Sequence, residues 1–85
     1  MFEIALTNKA KKIYESVDNK NAKKINTAFD DISKSPFSGK NIKRLKGKLE
    51  GLYRYRTGNW RIVYSIEKEV RIVSIIWIGK RKDAY

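Results

Sequence analysis

Arg54, Arg56 and Arg61 are the best candidates for chemistry in a chain that contains no histidine and no cysteine. Without those two residue types, the usual nitrogen and sulfur metal ligands and the usual nucleophile–base pairs are missing. A carboxylate-only magnesium site needs clustered acids. Asp30 and Asp31 are adjacent on a helical stretch, so they diverge by about 100° and do not converge on one ion. No glycine loop of the phosphate-cradling nucleotide sites is present. Arginine, lysine and tyrosine remain, and they suit one reaction on phosphate. In that reaction a ribose 2′-hydroxyl attacks the phosphate beside it, so RNA supplies its own nucleophile. A guanidinium grips phosphate oxygens in a bidentate fork and stabilises the charge that builds on phosphorus. A tyrosine ring can hold an unstacked base. Proton transfer is the weak step, because the ordinary pKa of arginine is above about 12 and that of lysine about 10.4. Such a site is expected to be slow on free RNA and to need a larger assembly to place the message.

Charge points to the same class of partner. Twenty Lys and Arg stand against nine Asp and Glu, leaving +11. Residues 1–39 carry net +2 and residues 40–85 carry net +9. A charge so concentrated in half of a small domain implies a polyanionic partner. Nucleic acid is favoured over a membrane, since no helical stretch is strongly apolar on one side and basic on the other. The longest apolar run, Ile72 to Ile78, contains Ser74 and is far too short to span a bilayer. Solubility alone would also account for part of the excess.

The elements that must position these residues follow from periodicity. At 85 residues the chain is expected to form one small domain, 1–85, around a single core. No targeting segment is read at its start, and the lack of cysteine suits a reducing, cytoplasmic setting. Phe2 to Leu6 alternates like a strand. Thr7 can cap a helix, and Ala10, Ile13, Tyr14 and Val17 then form one helical stripe. Asp18-Asn19 reads as a turn and second cap, and Ala22, Ile25, Phe29 and Ile32 form a second stripe. Pro36 ends that helix, because it pushes Ser35 out of helical geometry. Ser35 to Gly51 reads as a basic, loop-like connector carrying Lys40, Lys43, Arg44, Lys46 and Lys48.

Three strands follow. Leu52 to Arg56 puts Tyr53 and Tyr55 on one side and Arg54 and Arg56 on the other. Thr57-Gly58-Asn59 is a turn. In the next strand Trp60, Ile62, Tyr64 and Ile66 share one face, with Arg61, Val63 and Ser65 on the other. Glu67-Lys68-Glu69 turns the chain again. Val70 to Ile78 is apolar on both faces and reads as a central strand. The predicted fold is α+β, β-α-α-β-β-β: a mostly antiparallel four-stranded sheet with a helical hairpin packed on one face. Alternation puts Arg54, Arg56 and Arg61 on the other, open face. Spacing alone is also met by an ordinary solvated face whose arginines lay their stems along it.

Three segments carry more information. Leu45 to Arg56 ("LKGKLEGLYRYR"), Gly58 to Tyr64 ("GNWRIVY") and Ile78 to Tyr85 ("IGKRKDAY"), taken together and in order, resemble the RelE/ParE toxin superfamily over nearly the whole chain. The resemblance implies the toxin of a type II toxin–antitoxin system. It implies a ribosome-dependent endoribonuclease that cuts messenger RNA in the A site by 2′-hydroxyl attack, with no metal and no small-molecule cofactor. By position, Arg61 looks like the arginine that stabilises the transition-state phosphate. Arg81 looks like the general acid for the leaving 5′-oxygen, and Tyr85 like the tyrosine that stacks on a message base. Arg54 and Arg56 fall where relatives carry paired basic residues, often lysine. Arginine is a poor base, so here they suit electrostatic stabilisation. Lys46, Lys48, Lys80 and Lys82 are candidate contacts to RNA. The implied partners are a cognate antitoxin, acidic or amphipathic, together with ribosomal RNA and messenger RNA. Two rival functions stand beside this one. One is a ParE-like, non-catalytic inhibitor of DNA gyrase, a class whose members tend to lack the combination of Arg61, Arg81 and Tyr85. The other is a basic RNA-binding module that does not cut.

Overall fold

A computed structural model of the chain describes residues 1–80. Strand β1, Glu3–Leu6, leads into helix α1, Asn8–Ser16. Thr7 caps that helix as expected, its Oγ1 accepting from the Ala10 amide at 3.2 Å. Asp18 does the same for helix α2, Asn19–Lys34, accepting from the Asn21 amide at 3.0 Å. Helix α2 stops where Pro36 forces Ser35 to φ −151° and ψ 79°. The helices form a hairpin, tied by a 2.7 Å hydrogen bond from the Tyr14 hydroxyl to Asn26 Oδ1.

The remaining strands are β2 (Ile42–Arg44), β3 (Tyr53–Thr57), β4 (Trp60–Glu67) and β5 (Ile72–Lys80). They form a five-stranded sheet in the order β1-β5-β4-β3-β2. Only the β1–β5 pair is parallel. The α+β class, the helical hairpin and the central position of β5 match the expectation from sequence. The strand count does not: four were expected and five are present among the described residues. The extra strand is β2, inside the segment read as a connector. It is three residues long, too short for alternation to reveal. It forms because Ile42 turns inward opposite Tyr55 while Asn41 O accepts from the Arg56 amide at 3.0 Å. A second difference is where β5 begins. Val70 was expected inside it but is 60% exposed, and Arg71 adopts φ 56°, so the turn extends to Arg71.

The core lies between the sheet and the hairpin. Ala10, Ile25, Ala28 and Ile32 of the helices pack against Tyr55, Trp60, Ile62, Tyr64, Val73, Ile75 and Ile78 of the sheet. Three polar anchors fix the layers. The Tyr64 hydroxyl donates to Pro36 O at 2.7 Å, Trp60 Nε1 donates to Asn21 Oδ1 at 3.1 Å, and the Tyr55 hydroxyl donates to Asp31 Oδ2 at 2.6 Å. Among the described residues no helix is long and apolar enough to cross a membrane.

Candidate nucleic-acid interface

Strand pairing puts the three arginines on the face of the sheet away from the helices. Tyr53 and Tyr55 of β3 turn inward with Ile62 and Tyr64 of β4, so Arg54, Arg56 and Arg61 turn outward. Arg56 and Arg61 are direct cross-strand partners. The two-residue turn Gly58-Asn59 closes this hairpin, with Gly58 at φ 57°. Glycine reaches that left-handed conformation at no steric cost, and glycine in the first position of a two-residue turn matches the natural twist of a hairpin.

Beneath the arginines lies a small second apolar floor. Val63 is 2% and Trp77 8% exposed, yet neither belongs to the cluster under the helices. They face each other across β4 and β5, and Val63 also faces Arg54 across β3 and β4. The partner of Arg61 on β5 is Gly79. A β-carbon there would overlap Cζ2 and Cη2 of the Trp77 indole. The missing side chain at 79 therefore lets the indole lie beside Arg61.

The environment of the guanidinium groups is unusual. Arg54 and Arg61 are half-buried, and the Nε of each is buried without a hydrogen-bond partner among the described residues. An unsatisfied buried donor costs about 1–3 kcal/mol. Like charges placed directly opposite, as Arg56 and Arg61 are, are also destabilising. The repulsion is relieved by an anion that brings oxygen acceptors to the patch.

Beside this patch opens a cleft of about 590 Å³, walled by Lys40, Asn41 and Lys43 on one side and by Arg54, Arg56 and Gly58 on the other. Lys43 lies directly across the β2–β3 ladder from Arg54. Among the described residues no carboxylate lines the cleft, and no three acidic side chains gather in a way that could hold a metal ion. Its Lys40–Lys43 wall is pinned by the Arg56 amide on Asn41 O and by Asn41 Nδ2, which lies 3.5 Å from the Tyr55 hydroxyl. Burial, then the hydrogen bond to Asp31, pushes the pKa of Tyr55 above the ordinary tyrosine value. Its hydroxyl therefore serves as a neutral structural donor.

Of the site residues expected from sequence, Arg54, Arg56 and Arg61 are brought together. Lys46 and Lys48 are exposed around the short 3₁₀ turn Gly47–Leu49, outside the cleft lining. Lys80 pairs with Trp60, and its Nζ stands 5.7 Å from the centroid of that ring. Trp60 belongs to the helix-side cluster, so Lys80 lies apart from the arginines. Arg81, Lys82 and Tyr85 fall outside the described residues. Lys40 and Lys43 were noted in sequence only as part of a basic connector. The missing signal was the strand itself: once Ile42 is known to point inward, Lys43 must share a face with Arg54.

Comparison with known proteins gives a consistent result. Residues 4–85 match the family model described as the ParE toxin of the type II toxin–antitoxin system, parDE. A protein of Methanocaldococcus jannaschii named "Putative toxin RelE1" is 30% identical over 86 residues, covering 99% of this chain and 94% of that one. The toxin–antitoxin complex RelBE2 from Mycobacterium tuberculosis contains a chain that superposes with a TM-score of 0.82 at 26% identity, covering 94% of this chain and 98% of that one. The isolated E. coli RelE toxin shares the fold with a TM-score of 0.83 at 19% identity, over 99% of this chain and 88% of that one.

Proposed function

The chain belongs to the ParE toxin family of type II toxin–antitoxin systems, and on that premise we propose that it is a ribosome-dependent messenger-RNA endonuclease of the RelE kind, acting in the cytoplasm. One observation carries this reading. Among the described residues, Arg54 and Arg61 hold buried Nε donors without partners on the same open face as Arg56, beside a cleft that no acid lines. That arrangement suits an incoming phosphate better than a solvated surface, where guanidinium groups are satisfied by water.

In the proposed reaction the ribose 2′-oxygen attacks the adjacent phosphorus and the bond from phosphorus to the 5′-oxygen breaks. The products are a 2′,3′-cyclic phosphate and a free 5′-hydroxyl. Arg54, Arg56 and Arg61 stabilise the extra negative charge on the phosphorane oxygens. By the resemblance described above, Arg81 gives a proton to the leaving 5′-oxygen and Tyr85 stacks on a message base. The 2′-hydroxyl proton passes to water: Arg54, Arg56 and Arg61 are charged and hold no lone pair to accept it, whereas a charged Arg81 has a proton to give and regains it from water. Placement of the message by the ribosome compensates for weak proton transfer, since holding reactants in line removes much of the entropic barrier.

The proposed partner off the ribosome is a cognate antitoxin. The Mycobacterium tuberculosis relative was solved in a complex of that kind, and a net charge of +11 suits an acidic or amphipathic segment. A second reading is favoured by the family match itself, which is to the ParE toxins: a non-catalytic inhibitor of DNA gyrase. One experiment separates the two. The wild type and Arg61→Ala are expressed, 5′ ends are mapped on ribosome-bound messages, and plasmid supercoiling is followed in parallel. New A-site ends in the wild type alone support the nuclease. Intact messages with lost supercoiling support the gyrase reading.

A further inference from the structure

We propose that the cleft between β2 and β3 is a subsite for a second phosphate of the same strand, about three nucleotides from the one that is cut, so that the protein grips a run of single-stranded RNA rather than one phosphodiester. The proposal rests on the nuclease reading for its ligand class and adds a place and two residues, Lys40 and Lys43. Four observations carry it. The cleft brings Lys40, Lys43, Arg54 and Arg56 to one space with no acid among its described lining residues. Arg54 is half-buried on this face, its Nε without a partner among the described residues. The lysine wall is built in, because Arg56 donates its amide to Asn41 O and Asn41 is held on the Tyr55–Asp31 pair. Finally, Arg56 belongs both to the cleft and to the cross-strand pair with Arg61, so the two anion positions are continuous.

The spacing suits a nucleic-acid strand. Neighbouring strands lie about 4.8 Å apart, so Arg61 on β4 and Lys43 on β2 are separated by roughly 10 Å across the sheet. A stacked strand advances about 3.4 Å per nucleotide, so this span takes about three. The path runs across the strands from β4 to the sheet edge at β2. A lone carboxylate group of a protein partner would fill one position but not the line between them.

The test measures binding of a hexaribonucleotide, 2′-O-methylated throughout so that it cannot be cut, as a function of salt. Three proteins are compared: wild type, Lys40→Ala/Lys43→Ala, and Lys11→Ala/Lys12→Ala on the exposed side of α1 as a charge-matched control. Each phosphate contact on a single strand contributes about 0.7 to the slope of log K against log salt. The cleft variant is expected to lose about 0.7 of slope, one phosphate contact, and to bind roughly tenfold more weakly at low salt, while the control keeps the wild-type slope. A 2′-O-methylated dinucleotide, which has one phosphate, is expected to bind wild type and cleft variant alike. A cleft variant that keeps the wild-type slope but cuts normally on the ribosome overturns the subsite and leaves the nuclease reading intact. Loss of affinity for the antitoxin with an unchanged RNA slope also overturns it, making the cleft a protein-docking surface. A wild type that neither binds the hexamer nor cuts overturns both.

Discussion

Arg56 and Arg61 face each other directly across the β3–β4 ladder, one pair in from the turn at Gly58-Asn59. Two cations in that register repel, and the repulsion is retained in the free protein. Arg61→Ala should therefore leave the fold near its original stability, within about 1 kcal/mol. It should lower cleavage of ribosome-bound message by about 10²–10³-fold, the usual cost of losing one charge-stabilising donor. Thermal melts and 5′-end mapping on the same preparations check both halves.

Gly79 should not tolerate even one methyl group. Its missing β-carbon is the space the Trp77 indole occupies, and overpacking of this kind costs about 1–3 kcal/mol. Gly79→Ala should lower the urea midpoint, and Trp77→Leu in the same chain should recover part of the loss. Equal destabilisation by the single and double variants would show that the ring is not the obstacle.

Alkaline pH should weaken the fold through its buried tyrosines. Burial raises the pKa of Tyr64 and Tyr55 above the ordinary value of 10.0, with the bond to Asp31 adding to the effect at Tyr55. Above that value the unfolded chain loses phenolic protons that the folded chain keeps, so stability falls as pH rises. The stabilisation is complete below about pH 10. Tyr64→Phe should flatten the alkaline fall seen in urea melts between pH 9 and 11. It should cost about 1–2 kcal/mol at neutral pH, because it leaves Pro36 O without its donor.

Chelation should leave cutting unchanged. A cleft walled by Lys40, Lys43, Arg54 and Arg56 repels a divalent cation. Ribosomes need magnesium for their own integrity, so the measurement compares wild-type cutting with magnesium and with cobalt hexammine replacing most of it. A rate that tracks free magnesium on intact ribosomes would refute the metal-independent mechanism.

Much of the fold was legible because its elements are strongly periodic. The Ala10–Val17 and Ala22–Ile32 stripes and the alternation from Tyr53 to Ile66 each indicate one face without ambiguity, and Thr7, Asp18 and Pro36 mark the helix ends. Arg54, Arg56 and Arg61 could be placed together for the same reason. β2 could not be read, since Ile42–Arg44 has one apolar residue and is shaped by its pairing to β3. With it went Lys43 and the cleft. The floor under the arginines was equally hidden. Val63 and Trp77 sit at outward positions but are buried, and only the pairing of Arg61 with Gly79 explains the room the indole needs. Val70 was misplaced because a β-branched residue suggests a strand, whereas the neighbouring left-handed Arg71 keeps it in the turn.

The parallel pairing of β1 with β5 has a bearing on synthesis. Strand β1 has no sheet neighbour until Ile72–Ile75 have been made, more than 60 residues after it. The hairpin bearing Arg54, Arg56 and Arg61 emerges earlier, but without Trp77 and Gly79 its arginines have no surface on which to be set. On the proposed function, a chain made only as far as β4 would carry the three arginines without the Trp77 floor beneath them.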